Sequence, residues 1–187
     1  EEMARSIPLV IISNKEKIST VDAINQDNTE VGRLMARHLL DLGHKKVAML
    51  FDKLDNSIRR SRLTGYKQAL GKAKIPYREE YVYIWGRDAI ADVTESADKG
   101  YYLTKALLER TPEVTAFVCM NDAMALGAFK AVREAGKKVP DDYSIVGFDD
   151  LVFADSIDPS LTTVGLDQYL WGKKLAQYYF SLLEHPQ

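Results

Sequence analysis

Cysteine, histidine and excess positive charge are scarce in this chain, and each shortage excludes a class of function. Cys119 is the only cysteine among 187 residues, so no disulfide can form within the chain. The formal net charge is −2 and the pI is near 6.0. Because phosphate binding depends on clustered Lys and Arg, this balance argues against nucleic-acid binding by the chain alone.

Membrane and catalytic motifs are missing as well. No apolar run approaches the roughly 20 residues that span a bilayer, and the first residues, EEMARSIPLV, lack the pattern of a signal peptide. His38 and His44 do not have the i, i+4 spacing of zinc ligands on a helix. The chain contains neither a G-x-S-x-G sequence nor a glycine-rich phosphate loop. We therefore expect a globular binding protein that needs no metal and no cofactor.

The most informative stretch runs from Ala116 to Asp150. An apolar run ends at Asn121, and apolar residues at helical spacing follow it until Gly136. A second apolar run then ends at Asp149. This order predicts a strand, a helix and a second parallel strand joined by a right-handed crossover.

The same alternation of strand and helix extends from Val21 to Asp150 and predicts an α/β fold with a doubly wound parallel sheet. We expect a helix from Asn28 to Leu42, another beginning at Arg62, and a last amphipathic helix with Leu175, Tyr179 and Leu182 inward. Ile7 to Ile12 forms an apolar run with no element before it. The chain therefore has the pattern of a fragment of a longer protein.

Each predicted strand ends in groups that can hold a ligand. Asn121 and Asp149 follow two of the strands, and Arg62 lies at the expected start of a helix that faces them. An amide, a carboxylate and a guanidinium suit a polyhydroxylated ligand, since together they donate and accept hydrogen bonds from hydroxyl pairs. The alternatives are helix capping for Asn121 and Asp149 and a surface ion pair for Arg62.

Four segments resemble the effector-binding core of the lactose/galactose repressor (LacI/GalR) family. They are residues 27–50, the RLTGYKQAL segment at 62–70, the segment MNDAMALGAFKAVREAGKKVPDDYSIVGFDD at 120–150, and DPSLTTV at 158–164. They occur in the order of the family, and the resemblance extends over nearly the whole chain. The resemblance implies a periplasmic-binding-protein type I fold, in which two α/β subdomains clasp a small effector, here a sugar.

The resemblance also implies which residues bind the effector. The Arg of RL-x-GY, the Asn of the ND pair and the first Asp of GFDD fall on Arg62, Asn121 and Asp149. Further candidates are Trp85 and Phe153 as the aromatic that covers the sugar ring, and Asp167 near the crossover between subdomains. Ser13 stands where many members of the family carry Asp.

The resemblance divides the chain into residues 1–27 and 164–187, which would form part of the N-terminal subdomain, and residues 28–163, which would form the C-terminal effector-binding and dimerisation subdomain. It implies a cytoplasmic homodimer that contacts operator DNA only through a helix-turn-helix domain absent from this chain. The implied dimer face contains Met124, Leu126, Phe153 and Ile157.

Two other functions stay open on the sequence alone. A periplasmic sugar receptor has the same fold and the same kind of site. An α/β enzyme could use Asp149 and Asp150 as paired carboxylates, but adjacent strand residues point to opposite faces, which disfavours such a pair.

Overall fold

A computed structural model describes residues 10–12, 22–89 and 91–184, and these divide between two compact units. One unit comprises Glu1–Asp27 with Leu166–Gln187, and the other comprises Asn28–Gly165. Parts of the sequence prediction lie outside the described residues: Ser13, the first residues of the run from Ile7, and the last three residues of the chain.

The elements alternate along the chain as the pattern predicted. In order they are β1 Val10–Ile12, β2 Asp22–Ile24, α1 Asn28–Asp41, β3 Val47–Phe51, α2 Ser57–Lys72, β4 Val82–Ile84, α3 Ser96–Arg110, β5 Ala116–Cys119, α4 Asp122–Glu134, β6 Ser144–Asp149, β7 Thr162–Gly165 and α5 Gln168–Glu184. Two short 3-10 turns lie at Glu79–Tyr81 and Val152–Asp155.

The larger unit is built on a five-stranded sheet in the order β4-β3-β5-β6-β7, with every neighbouring pair parallel. The side chains of β3 and β5 are all buried, as strands covered on both faces require. Right-handed crossovers place α1 and α2 on one face of the sheet and α3 and α4 on the other, in agreement with the packing of α1 against α2 and of α3 against α4. The predicted α/β fold with a parallel sheet is therefore confirmed.

Glycines bring each pair of helices into backbone contact. A Cβ added at Gly32 of α1 would lie 2.0 Å from the carbonyl oxygen of Arg62, and one added at Gly65 of α2 would lie 1.9 Å from that of Thr29. Gly100 and Gly127 make the same reciprocal contact between α3 and α4. The close approach requires glycine because any side chain would separate the helices. The first pair fixes the backbone that carries Arg62.

The start of α2 differs from the sequence prediction, which began this helix at Arg62 and so left the polar residues before it as a loop. The helix begins at Ser57, and the side chain of Asn56 caps it by accepting a hydrogen bond from the Arg59 amide at 3.0 Å. Arg59 and Arg60 are polar but are good helix formers, so a polar stretch was wrongly predicted to be a loop. Arg62 therefore lies in the second turn of α2 rather than at its start.

The smaller unit contains the parallel pair β1–β2 and the helix α5. Leu175, Tyr179 and Leu182, predicted to point inward, are among its half-buried side chains, but within the described part of the chain no side chain of α5 is fully buried. Apolar residues on its other faces are exposed, including Tyr169 and Phe180.

The glycine contact between α1 and α2 predicts a large effect of a single methyl group. Gly32→Ala should lower the free energy of unfolding by at least about 2 kcal/mol, because the new Cβ meets backbone that cannot move without separating the helices. Gly71→Ala in α2 is the matched control, since a Cβ there has no neighbour within 4 Å. The control should be neutral or stabilising by up to about 1 kcal/mol. Urea denaturation followed by circular dichroism measures both, and equal midpoints for the two variants would contradict the contact.

Candidate functional site

The candidate site lies at the carboxyl ends of β3, β5 and β6. Strand β3 has β4 as its neighbour on one side and β5 on the other, and the chain continues from β3 to β4. The topological switch point therefore falls between β3 and β5. Open parallel sheets bind ligands in the crevice outside this point. Arg62, Asn121 and Asp149 all belong to segments that reach this end of the sheet.

Arg62 is buried, with only 6% of its surface exposed, and its guanidinium contacts several turns at once. Its Nε donates to Asn28 Oδ1 at 3.0 Å, and its Nη1 donates to the Met120 carbonyl at 2.7 Å. The plane of the guanidinium lies over the Phe148 ring, with Cζ 3.8 Å from the ring centre. Burial lowers the pKa of Arg62 to about 10, against the opposing effect of Asp149, so the group stays charged at neutral pH.

Asp149 faces this cation without a direct ion pair. Each group is among the main electrostatic influences on the other, yet no Arg62 nitrogen comes within 4.0 Å of an Asp149 carboxylate oxygen. Burial raises the pKa of Asp149 to about 6; Arg62 opposes this shift and Asp122 adds to it. The two charges therefore influence each other without direct contact.

The backbone at Asp149 is in an unusual conformation. Its φ is 122°, and Asp150 follows with a φ of 56°. Residues other than glycine rarely adopt such backbone angles. Strained backbone of this kind concentrates at functional sites, because the surrounding structure must hold it in place. The sequence gives no sign of it, since neither position is a glycine.

Asn121 caps a helix, which is one of the two roles that the sequence left open. Its Oδ1 caps α4 by accepting from the Met124 amide at 2.8 Å, and it also accepts from the Ser96 hydroxyl at 2.9 Å. Its Nδ2 has no hydrogen-bond partner among the described residues. The cap therefore uses the oxygen and orients the amide nitrogen as a donor for another group.

Arg62 likewise keeps donors for a ligand. Within the described residues its Nη2 makes no hydrogen bond, and the only buried side-chain nitrogen or oxygen without a partner is Thr104 Oγ1. Arg62 Nη2 and Asn121 Nδ2 are thus unpaired but open to solvent. A cation, an amide donor and a carboxylate acceptor accordingly remain available at one end of the sheet.

The other predicted binding residues belong to other elements of the chain. Trp85 follows the edge strand β4, roughly 14 Å across the sheet from β6 at the usual strand spacing, and its ring packs on Tyr102. Phe153 is half-buried in the 3-10 turn after β6. Asp167 belongs to the other unit, where its Oδ1 caps α5 by accepting from the Leu170 amide at 2.8 Å.

The residues predicted for a dimer face separate into two groups. Met124 is fully buried, and its prediction as a contact residue is wrong because its position in the first turn of α4 directs it into the core. Leu126 is 37% exposed, and it lines a groove with half-buried Ile157 on the outer surface of α3 and α4. Phe153 is half-buried and is not among the residues that line this groove.

Neither a metal site nor a paired-carboxylate centre emerges from the geometry. Within residues 10–12, 22–89 and 91–184, no group of His, Cys, Asp and Glu side chains is arranged to hold a metal ion. Asp149 faces Arg62, whereas the Asp150 carboxyl lies against Gly165 of β7.

In the same described ranges, no helix is long and apolar enough to cross a membrane.

Comparison with known proteins agrees with this architecture. A model of the periplasmic binding protein-like domain matches residues 36–187. The chain belongs to this family. The family resemblance predicted from its motifs is thereby confirmed, and the relatives that it matches are LacI-family regulators.

Two of these relatives illustrate the extent of the match. The ribose operon repressor of Haemophilus influenzae is 29% identical over 185 residues, which cover 99% of this chain and 53% of the repressor. The HTH-type transcriptional repressor PurR of Mannheimia succiniciproducens is 30% identical over 179 residues, 96% of this chain and 51% of that protein. The chain thus spans about half the length of these relatives.

A solved structure extends the likeness to three dimensions. The LacI family transcriptional regulator of Enterococcus faecium, crystallised with bound ribose, matches with a TM-score of 0.82 and 28% identity. The match covers 96% of this chain and 64% of that one. The fold described above is therefore that of a LacI-family effector-binding core.

Further residues support this periplasmic-binding-protein-like site, and sequence reasoning missed Phe148 among them. Phe148 and Asn28 hold the Arg62 guanidinium, and Asp122 is a fully buried carboxyl beside the Asp149 turn. Asp52 pairs with Lys99 at 3.1 Å and with Arg59 at 3.7 Å near the switch point. The available signal for Phe148 was adjacency, since it directly precedes the predicted site residue Asp149.

The strained turn predicts that Asp149 is held at a cost in stability. Asp149→Gly should raise stability by about 1 kcal/mol, because relief of about 1 to 3 kcal/mol of strain exceeds the glycine entropy of about 0.5 to 1 kcal/mol. Asp149→Asn is the control, since it removes the same charge but keeps the Cβ atom. Differential scanning calorimetry at pH 7.5 compares the two midpoints. A lower midpoint for the glycine variant than for the asparagine variant would show that the turn is not strained.

Proposed function

We propose that this chain is the effector-binding core of a LacI-type transcriptional regulator and that its effector is a sugar. The observation that carries the proposal is the unfilled set of Arg62, Asn121 and Asp149 at the carboxyl ends of the strands. Because the chain covers only about half of its repressor relatives, DNA binding is proposed for the whole protein through a helix-turn-helix domain outside this chain.

The chemistry of the three groups fits a polyhydroxylated ligand. Sugar hydroxyls can donate to the Asp149 carboxylate and accept from Arg62 Nη2 and Asn121 Nδ2, so that each polar group of the site gains a partner. A buried charge that gains hydrogen bonds favours binding, whereas an analogue that leaves it unpaired is rejected. A neutral sugar suits the site better than a phosphosugar, because the Asp149 carboxylate would repel a phosphate.

A regulator must also convert binding into a change of DNA affinity. A ligand does so only if it binds two arrangements of the protein unequally, and typical coupling energies are about 1 to 3 kcal/mol. The Asp149 turn is hydrogen-bonded to β7, and β7 ends at Gly165, where the larger unit ends. An effector that binds Asp149 therefore contacts a turn that is hydrogen-bonded to β7, the strand after which the chain passes into the other unit.

The remaining features of the proposal follow from the relatives. The proteins matched above are transcriptional repressors rather than enzymes. For this chain we propose the same: a non-catalytic regulator that acts in the cytoplasm, without a metal or cofactor. A periplasmic receptor of the same fold remains the competing function, and an upstream helix-turn-helix in the intact gene would exclude it.

The protein is further proposed to act as a homodimer through the groove that contains Leu126 and Ile157. An exposed leucine beside a half-buried isoleucine on the outer surface of α3 and α4 supports this face. Asp98, Lys130 and Arg133 also line the groove and supply a polar rim around the apolar residues. A dimer would carry two helix-turn-helix domains, which would match the two half-sites of an operator.

The sugar site predicts a specific loss on replacement of Arg62. A thermal-shift screen of neutral sugars and phosphosugars, beginning with ribose, identifies the ligand. Arg62→Lys should then weaken its affinity by at least about thirtyfold, because the lysine cannot supply the planar fork of donors. Arg60→Lys in the same helix is the control, since Arg60 is exposed and should leave the affinity unchanged. Calorimetry measures both variants, and an unchanged dissociation constant for Arg62→Lys would remove Arg62 from the site.

The dimer face predicts a change of mass in solution. Leu126→Asp should convert the dimer to a 21.1 kDa monomer, because a charge in the apolar contact must be desolvated without a partner. Leu42→Asp is the control, since Leu42 is 62% exposed at the end of α1 and lies outside the groove. Sedimentation velocity distinguishes the two species. A dimer that survives Leu126→Asp would assign association to another surface.

A further inference from the structure

Asp122, the residue after Asn121, has no role in the proposed contacts with the effector, yet its carboxyl is fully buried beside the Asp149 turn. Its Oδ2 accepts from the Leu151 amide at 2.9 Å, and its Oδ1 accepts from the Thr163 hydroxyl at 2.7 Å. A buried carboxyl is tolerated only when its oxygens are satisfied in this way. These hydrogen bonds connect the first residue of α4 to the turn after β6 and to the strand β7.

The network continues to the residue that follows Asp149. Thr163 Oγ1 donates its proton to Asp122 and accepts from the Asp150 amide at 3.3 Å. The two backbone amides directly after Asp149, those of Asp150 and Leu151, are thus both bound, one through Thr163 and one by Asp122 itself. Such hydrogen bonds can hold the positive φ angles of this turn against their intrinsic cost.

A glycine makes room for the buried carboxyl. A Cβ added at Gly147 of β6 would lie 2.2 Å from Asp122 Oδ1. Gly147 lies inside a central strand, where a glycine is unfavourable unless another group must approach the backbone closely. This close approach is an observation separate from the hydrogen bonds. It shows that the Asp122 carboxyl lies directly against β6.

We propose that Asp122 and Thr163 are positioning residues that hold the Asp149 carboxylate toward Arg62 for the effector. The inference rests on the proposed function in so far as Asp149 binds the ligand. Neither residue needs to touch the ligand, since both act through the amides that follow Asp149. Thr163 also lies in the strand that leads to the second unit, so the same hydrogen bonds tie the effector site to that strand.

The same arrangement affects the charge of Asp149. The charged groups that face it are Arg62 from α2, which lowers its pKa, and Asp122 from α4, which raises it. The adjacent Asp150 carboxyl lies against Gly165 of β7. Because an ionised carboxylate is the better acceptor for hydroxyl groups, effector affinity should fall as the pH drops through the pKa of Asp149. Removal of the Asp122 charge should shift this transition to lower pH.

Two substitutions separate the geometric from the electrostatic effect. Asp122→Asn removes the charge but keeps an oxygen that can accept from the Leu151 amide, whereas Thr163→Val keeps the charge and breaks the link to Asp150. Thr163→Ser restores the hydroxyl and serves as the conservative rescue. A carbon-13 titration of the Asp149 carboxyl and hydrogen exchange of the Asp150 and Leu151 amides are read without ligand. Binding of ribose at pH 7.5 is read by calorimetry.

We expect Asp122→Asn to lower the titration midpoint of Asp149 from about 6 while the Leu151 amide stays protected. We expect Thr163→Val to accelerate exchange of the Asp150 amide and to weaken ribose binding about tenfold, as loss of a buried hydrogen bond does. Thr163→Ser should match the original chain in both respects.

The inference is overturned if Thr163→Val exchanges and binds like the original chain. An unchanged midpoint in Asp122→Asn would overturn the effect of the Asp122 charge on Asp149. Should Asp122→Asn fail to fold, the comparison of valine with serine at position 163 still decides the geometric part. Absence of ribose binding by the original chain would count against ribose as the effector, while the titration and exchange would still test the positioning residues.

Discussion

The burial of one cation organises this site. A guanidinium removed from water is costly unless each side of it has a partner, and Arg62 has Asn28 at one edge, the Met120 carbonyl at another and the Phe148 ring beneath its plane. These partners come from the start of α1 and from the ends of β5 and β6. The position of Arg62 therefore requires that all these segments meet at one place.

Close packing of the helices makes this meeting possible. The glycine contacts between α1 and α2 fix the backbone at Arg62, and those between α3 and α4 hold the start of α4, where Asn121 and Asp122 lie. The parallel sheet brings the ends of β5 and β6 side by side between these pairs of helices. Asp149 is then held in a conformation that its own backbone disfavours, opposite a charge that it does not neutralise by direct contact.

This arrangement gives a physical reason for ligand binding. The burial that lowers the pKa of Arg62 and raises that of Asp149 reflects poorly solvated charges, which gain from any ligand that supplies hydrogen bonds. The strained turn and the unpaired donors at Arg62 and Asn121 are also typical of a binding site. The proposed effector would supply hydrogen bonds that these groups lack in the free protein.

The sequence predicted those features that depend on pattern. The unit from β5 through α4 to β6 was predicted correctly, because apolar runs, a capping Asn and a glycine at the end of the helix all indicated the same structure. The start of α2 was missed because helix-forming arginines look like loop residues in a polar stretch. Met124 was wrongly expected at the dimer face, because the family resemblance indicated the helix but not which way this side chain points.

The parts that the sequence could not predict depend on three-dimensional neighbours. The positive φ angles of Asp149 and Asp150 occur in a turn that is hydrogen-bonded to β7 and α4, whose partner residues are distant along the chain. The role of Asp122 was hidden because its partners Leu151 and Thr163 are distant along the chain. Trp85 was a candidate because an aromatic ring can cover a sugar, but the strand order places β4 at the far edge of the sheet.

The central claim is that Arg62, Asn121 and Asp149 together hold a hydroxylated ligand at the carboxyl ends of the strands. A crystal structure of the chain with the sugar selected by the thermal-shift screen tests it most directly. The account predicts ligand hydroxyls within hydrogen-bonding distance of Arg62 Nη2, Asn121 Nδ2 and the Asp149 carboxylate. A sugar bound elsewhere, with these three groups still facing water, would contradict it.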